Sequence, residues 1–433
     1  MTILAISPFL WTMSRGSGVP TLFKTLEGLA SRAETHLLMP ATEAGTEVRS
    51  GIHIHTFRLP GWDRFGTFGP DRSVFSHTLP GGRLGRFLLD KLLWFHFVVL
   101  ASAYAIRLNQ RVRADVYYGV TPYGAPIALL LRLLFGGINV TRLLGTFLAP
   151  VTKFGSCWTG RLRAWLWLMP HFTEVVAFLW PAGSIIVTDD GTRGAEVGRA
   201  LGLPDVHCWR NGVDVPSSAE IVERPALEQS LRQRFAIAEG PIALYTGQLV
   251  AWKRVDRMLR SIAIAREQEG LKLTVILVGD GPERAPLVAL CSELNLGDSV
   301  RFAGSVPQQD LGAFYLGANF FVCAHDLTCA CNSTFEAMAA GLAIVATDVG
   351  ETSSVITHEA DGLLVNPDDE AALASSIHRV ASDEQLRNRL GTAARSRILR
   401  DFGTWSDRAF REYSLLQKVA LESQASTEKL RAC

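Results

Sequence analysis

The sequence has almost no excess charge: 43 lysines and arginines stand against 42 aspartates and glutamates, a net of +1. It therefore offers no global basic field for a nucleic-acid backbone, which argues against DNA or RNA as a partner. Cysteine is sparse. The seven present (Cys157, Cys208, Cys291, Cys323, Cys329, Cys331, Cys433) are odd in number and scattered, which is not a secreted disulfide framework and suits a reducing cytoplasm. Long apolar runs are missing too. The most suspicious, "LLWFHFVVLASAYAI" from Leu92 to Ile106, is closed off by Lys91 and Arg107 and falls short of the ~20 residues a spanning helix needs. The opening "MTILAISPFL" has neither the basic n-region nor the small-residue cleavage pattern of a signal peptide and is expected to be a buried first strand. Low-complexity segments and short-period repeats are also lacking.

What is there is a chain of 433 residues, 48% hydrophobic and 20% charged, too long for one ordinary core and suited to two large domains. The first half alternates strand and helix patterns: "TILAIS", then "TLFKTLEGLASRA", then "THLLMP", followed by "GIHIHTFRLP", the long apolar helix, "ADVYYGV", "INVTRLLGTF" and "GSIIVTDDG". This is the signature of βαβ units and an open parallel sheet. After "VHCWRNGVDV" the pattern stops in a charged, proline-bearing stretch, and it resumes with "PIALYTGQL", "KLTVILVGDGP", "SVRFAGSV", "NFFVCAH", "LAIVATDVG" and "GLLVNP". The expected organisation is α/β, with two facing Rossmann-like domains of parallel sheets. A first domain covers 1–210, a linker 211–238, a second domain 239–400, and a C-terminal helix and tail 401–433.

Open parallel sheets bind ligands at the carboxyl ends of their strands, and three strand-end loops of the second half stand out. In "TGQLVAWKRVD" Lys253 arrives just before a helix start, where a cation beside helix N–H groups suits a phosphate; a solvated lysine is an equally good reading of this loop alone. In "VGDGPER" Gly279 and Gly281 flank Asp280, allowing close backbone approach to a ligand or simply a tight turn. In "HDLTCACNSTFEAMAAG" Asn332, Ser333 and Thr334 stand where helix caps and unpaired N–H groups belong, marking an anion site. Glu336 lies in the first turn, where it favours the helix dipole and could also accept hydrogen bonds from vicinal hydroxyls such as a ribose offers.

Four segments in this order and spacing, "TGQLVAWKRVDRML", "VILVGDGPER", "VRFAGSVPQQDLGAFYLGANFFVCA" and "FEAMAAGLAIVATDVG", resemble the retaining glycosyltransferases of family 4, which have the GT-B fold. The resemblance is strong over about Ile242 to Arg395 and weaker in the first half, where "SRGSGVP" takes the place of the family's glycine-rich loop. It implies that Lys253 meets the donor's diphosphate, that Glu336 is the second glutamate of an E-x7-E pattern and holds the nucleotide ribose, and that Gly16 and Gly18 face the donor phosphates. It also implies donor-side roles for Gly281 and for the helix start at Asn332, Ser333 and Thr334.

Three departures stand out. The arginine that usually partners the lysine is Gln248, the first glutamate of E-x7-E falls at Thr328, and the histidine that often precedes a glycine in the first domain is Leu144. Asp326 lies close enough in sequence to substitute for the missing glutamate, and "DLTCACNSTFEAM" resembles a "DLTNxxNTxxEAM" variant of the same family. In the front-face transfer that the family implies, the leaving phosphate takes the acceptor proton, so catalysis depends on positioning and charge stabilisation. Thr328 then alters sugar recognition more than it abolishes chemistry.

The expected function is retaining transfer from a nucleotide-sugar donor to a saccharide or lipid-linked acceptor in polysaccharide or glycoconjugate synthesis, with no cofactor beyond that co-substrate and no metal. Alternatives are a silent sugar-nucleotide-binding subunit of an assembly complex and a GT-B epimerase. Zinc on Cys323, His325, Cys329 and Cys331 is a rival reading, but structural zinc sites pair close ligands across two separated knuckles. The expected place is the cytoplasm, with peripheral contact at the inner membrane face through Leu92–Ile106 and through Trp165 and Trp167 beside Arg161 and Arg163.

Overall fold

In the computed structural model, which describes residues 1–9, 20–41, 43–59, 83–144, 148, 163, 168–169, 171–179, 182–189, 194–203, 206–269 and 271–432, the chain divides into two compact units. The first comprises Met1–Asn211 with Trp405–Cys433, and the second Gly212–Thr404. Gly16, Gly18, Arg161, Trp165 and Trp167 lie outside the described residues.

The first unit is built on β1 (Thr2–Ile6), β2 (Glu34–Ala41), β3 (Gly45–Arg49), β4 (Ile52–Arg58), β5 (Val116–Val120), β6 (Ile138–Leu143), β7 (Ser184–Thr188) and β8 (Val206–Trp209), in the order β3-β4-β2-β1-β5-β6-β7-β8. The central strands are buried along their whole length, Thr2 at the start of β1 excepted, as expected when helices cover both faces of a parallel sheet. One edge departs from the all-parallel expectation: β3 runs antiparallel to β4. Ser50 and Gly51, both at positive φ (49° and 78°), form the two-residue turn that a hairpin's right-handed twist demands.

On that edge His36 and His55 touch, Nδ1 to Nε2 at 3.0 Å, and His53 stacks on His36 with ring centroids 4.8 Å apart. Burial first, then the neighbouring imidazoles, pushes His55 down to about 4, and His36 is lowered mainly by burial against the pull of Glu34. The unfolded chain therefore binds these protons more readily than the folded one, so stability rises with pH across this window. The first unit is expected to be fully stable above about pH 6.5 and to weaken towards pH 4, by on the order of 1 kcal/mol after discounting for partial exposure. Melting curves should show this slope flattened in His55→Gln; an unchanged slope would remove the cluster as its source.

The helix Arg83–Val112 seats Leu93, Phe97, Ala101 and Ala105, one row at four-residue spacing, in the core beside β1 and β5. Its other side is apolar as well: Leu92 is 65% exposed and Phe95 63%, with Val99 and Tyr104 also out. A buried core helix is thus half of what the segment is. Lys91–Val112 is long and apolar enough to cross a membrane, by length and composition only.

The segment expected to be a linker, 211–238, folds into the second unit, and the expected C-terminal helix, within 401–433, belongs to the first. Ser217 closes a capping box on the helix Ser218–Val222, and the helix Arg224–Phe235 packs Leu227, Leu231 and Phe235 into the second unit's core. Apart from Pro225 and Ala226 its other residues are charged or polar, which is why so narrow an apolar stripe looked like a linker. The long helix Trp405–Ala432 returns to the first unit, where Ala409 sits so close to Gly28 that a Cβ there would lie 2.2 Å from its own. Tyr118 donates to the fully buried Glu412, and Arg142 and Arg408, also buried, pair with the same carboxylate.

The second unit has six parallel strands, β9 (Ile242–Thr246), β10 (Thr274–Val278), β11 (Val300–Gly304), β12 (Phe320–Cys323), β13 (Ala343–Thr347) and β14 (Leu363–Val365), in the order β11-β10-β9-β12-β13-β14. The strand order reverses between β9 and β12, which are hydrogen-bonded neighbours. The crevice outside the carboxyl ends of these two strands is where such a sheet binds its ligand.

Candidate active site

The loops leaving β9 and β12 converge on that switch point. After β9 the chain passes Gly247 (φ 149°), makes one 3-10 turn over Ala251–Lys253 and enters the helix Val255–Glu269. Four cations lie from Lys253 to Arg260. Arg254 is held by Asp256 and Asp326, Arg257 by Asp326 at 2.7 Å and by the Ala324 carbonyl, and Arg260 by Asp256. Lys253 has no carboxylate partner among the described residues, and its Nζ stands 4.7 Å from the Trp252 ring centre. It is the one cation of the four left to meet a ligand's negative charge. Gln248 is exposed, and its carbonyl accepts from the Tyr245 hydroxyl at 3.1 Å.

The glycines of "GDG" have a local reason to be there. A Cβ on Gly279 would lie 1.9 Å from the Gly247 carbonyl oxygen, and one on Gly281 2.3 Å from that of Leu249. Backbone packs directly on backbone where the β9 and β10 loops touch, and no side chain fits. Gly281 therefore shapes the lysine loop.

After β12 come Ala324 to Cys331 and then the helix Asn332–Ala339, whose first turn carries Asn332, Ser333 and Thr334. The first N–H groups of any helix have no acceptor within it, so this start presents partial positive charge on the same side as Lys253. The helix ends at Gly341 (φ 75°), the left-handed closure its sequence announces. Thr334 is wholly buried, its hydroxyl near the sulfurs of Cys323 and Cys331.

Glu336 is half-buried. Its Oε1 accepts from Gln308 Nε2 at 3.0 Å and its Oε2 from the Tyr315 hydroxyl at 2.8 Å. Tyr315 also meets Thr246 Oγ1, at the end of β9, at 2.6 Å. Burial and then the Glu336 charge push this phenol well above its usual range, so it stays a donor. A carboxylate oxygen can accept more than one hydrogen bond. Sequence reading missed Gln308 and Tyr315, although both stand in the quoted "VPQQDLGAFYLGA" segment, because nothing in its pattern says which residues turn towards Glu336.

Two other expectations resolve differently. Asp326 is occupied by Arg254 and Arg257, so its carboxylate braces two elements, whereas it was expected to stand in for the missing glutamate. Thr328 is buried, and its Oγ1 accepts from the Ala330 N–H at 3.0 Å. Among the described residues no three of His, Cys, Asp and Glu are placed to share a metal ion; Cys323 and Cys329 are buried thiols, and Cys329 Sγ donates to the Cys323 carbonyl at 3.5 Å.

A lysine, a helix start and a braced carboxylate thus meet at the switch point of a doubly wound sheet, the place where such sheets bind their ligands. Residues 228–397 match the model of the family described as "Glycosyl transferases group 1". Over 293 residues the chain is 26% identical to the GDP-mannose-dependent alpha-mannosyltransferase of Mycolicibacterium smegmatis, covering 66% of this chain and 71% of that one. It is 33% identical over 192 residues to the lipopolysaccharide core biosynthesis glycosyltransferase LpsD of Rhizobium meliloti, spanning 44% of this chain and about half (53%) of that protein. In structure it resembles sucrose-phosphate synthase of Thermosynechococcus elongatus, with a TM-score of 0.66 at 20% identity over 100% of this chain and 99% of the other. The chain is a glycosyltransferase of the GT-B fold, and its second unit carries the group 1 domain.

Proposed function

We propose that the protein transfers a sugar from a nucleotide sugar to a saccharide acceptor with retention of anomeric configuration, in the synthesis of a polysaccharide or glycoconjugate, and that the second unit holds the donor. One observation carries the reading: Lys253, the start of the helix Asn332–Ala339 and Glu336 stand together at the carboxyl ends of β9 and β12. Lys253 and the helix N–H groups of Asn332, Ser333 and Thr334 meet the diphosphate, and Glu336, held by Gln308 and Tyr315, accepts the ribose hydroxyls. The relatives' names support a nucleotide-sugar donor, GDP-mannose in the first case, and a surface saccharide product in the second. Both are named as transferases, which does not favour a silent subunit or an epimerase. Hydrolysis of donor with and without acceptor separates the three.

Chemically, the C1–O bond to the diphosphate breaks as the acceptor hydroxyl arrives on the same face, and the departing phosphate oxygen takes the acceptor's proton. The chain's work is to hold the donor and stabilise charge on the leaving group. Lys253 and the helix start supply that stabilisation, so we assign no metal and no further cofactor. Thr328, with its hydroxyl on the Ala330 N–H, gives the sugar a neutral wall where relatives with a glutamate offer a charged acceptor.

Glu336→Ala is expected to weaken nucleotide binding about 10- to 100-fold, the worth of charge-assisted hydrogen bonds. Glu336→Gln, which keeps the shape for Gln308 and Tyr315, should lose part of this. Calorimetry on protein with an intact circular-dichroism spectrum is the check, and unchanged affinity would take Glu336 out of the site.

For the acceptor we propose a membrane-anchored, polyprenyl-linked saccharide met at the cytoplasmic face. The support is the apolar outer row Leu92, Phe95 and Val99, with Lys91 at its head 5.1 Å from the Phe172 ring centre and exposed Met169 in the same unit. Cations beside apolar side chains suit lipid headgroups. The protein should sediment with anionic liposomes at low salt, and Leu92→Glu with Phe95→Glu should leave it in the supernatant. Wild-type protein that stays in the supernatant ends the membrane reading and leaves the transferase untouched.

A further inference from the structure

The donor end of the second unit holds one group that sugar transfer does not use. Cys331 is the N-cap of the helix Asn332–Ala339, in extended backbone (φ −129°, ψ 165°), and is partly exposed. Its sulfur lies 3.2 Å from Ser333 Oγ and 3.6 Å from Thr334 Oγ1. Facing it is His325, fully buried, whose Nδ1 is 2.9 Å from the Thr328 carbonyl oxygen. A carbonyl only accepts, so Nδ1 carries the proton and Nε2 is left as the basic nitrogen. That Nε2 is buried and makes no hydrogen bond of ordinary geometry. The ring is walled by Trp252 and Tyr245, edge-on at 5.6 and 6.4 Å between centroids, and Trp252 in turn carries the Lys253 ammonium. A thiol at a helix start, beside a lysine and an oriented imidazole, is the arrangement that makes a thiolate.

Burial opposes ionisation of Cys331, but the Lys253 charge first, and then the His325 ring and the Ser333 hydroxyl beside it, outweigh it and hold the thiol well below its usual range. The other titratable groups packed round it are Tyr245, Tyr315, Cys323 and Cys329. Burial pushes Tyr245 and Cys323 well up; against burial, the Cys323 contact and then His325 hold Cys329 down to about 6, but its sulfur is wholly buried and turned to the Cys323 carbonyl, out of reach of a disulfide. Cys291, away from the cluster, is pushed up to about 11 by burial.

We propose that Cys331 is a modification site: it exchanges with small-molecule disulfides, and its mixed disulfide occupies the donor-phosphate position and closes the site. The second half of this statement rests on the donor-site reading above. In the exchange the Cys331 sulfur attacks one sulfur of the disulfide. The sulfur–sulfur bond breaks with its electron pair on the leaving sulfur, which departs as a thiolate and is protonated from water. One disulfide is consumed and one mixed disulfide and one thiol are made, so a free thiol in excess reverses the step.

The test uses the full chain. With trace iodoacetamide at neutral pH, peptide mass mapping should find Cys331 alkylated at least about tenfold faster than any other cysteine, with the rate inflecting at least about one pH unit below an ordinary thiol. Lys253→Gln, at a half-exposed position, should move that inflection up, as should His325→Gln if it folds. Glutathione disulfide should add one glutathione, at Cys331. The conjugate should lose GDP and UDP binding in calorimetry and regain it after dithiothreitol. A Cys331 no faster than its neighbours, or an ordinary inflection, overturns the proposal; so does a conjugate that binds nucleotide as well as the free protein. If unmodified protein binds neither nucleotide, the donor-site reading fails, and with it site closure; the alkylation rates still decide whether Cys331 is a thiolate.

Discussion

Lys253→Ala is expected to lower turnover about 10²–10³-fold, the cost of removing one preorganised group from a developing anion, while Gln248→Ala lowers it less than about threefold. The asymmetry comes from the loop itself. Arg254, Arg257 and Arg260 follow within a few residues, but each is already spent on Asp256 or Asp326, so none can swing over to replace the lysine without abandoning a carboxylate. Gln248 adds only a neutral dipole in the place where the family usually has a second cation. Steady-state nucleotide release in the presence of acceptor measures both. Equal losses would mean that the β9 loop meets the phosphates in another way. Gln248→Arg offers a gain: a second cation there should tighten nucleotide affinity, most visibly at low salt.

Glu412→Ala is expected to destabilise the first unit by about 3–5 kcal/mol, because it strands buried charge. Arg142 and Arg408 are both buried and share this single carboxylate, and the Tyr118 hydroxyl donates to it as well. Burial pulls Arg408 down from its usual range while Glu412 holds it up, so losing the carboxylate leaves two guanidinium groups facing each other out of water. The Lys418–Glu422 pair on the same helix is exposed, 3.9 Å apart, and Glu422→Ala should change stability by less than about 0.5 kcal/mol. Urea unfolding followed by a probe in each unit would show the first transition moving and the second fixed. A Glu412→Ala protein as stable as the parent would mean that the long helix is held by Ala409 and Leu416 alone.

Much of the second unit was legible because its parallel strands are short apolar runs, each followed by a glycine, lysine or cap that punctuates it. Lys253 and Glu336 could be placed on strand ends from such local signals. The partners of these residues could not. Tyr315 and Gln308 reach Glu336 from 21 and 28 residues away, and Asp326 is claimed by arginines some 70 residues earlier, distances over which no periodicity reports. Glycine in "GDG" was ambiguous for the same reason: its Cβ clash is with the β9 loop, not with its own turn. In the first unit the long apolar helix misled by being apolar on both sides, and Glu412 gave no sign, since one acid on a charged helix normally faces water.

The chain leaves the first unit at Asn211 and comes back to it at Trp405. The long helix that supplies Glu412 and Leu416 is therefore synthesised only after all of the second unit. While the ribosome works through that unit, the first sheet waits with Tyr118 and Arg142 unmet and an apolar groove beside Gly28 open. The inserted unit has its own six strands and its own core and can finish first, reversing the usual N-terminal-first order of folding during synthesis. A fragment ending near residue 211 should then need chaperones or aggregate, whereas 212–404 expressed by itself should fold, and a stall late in translation would be more damaging than one in the middle.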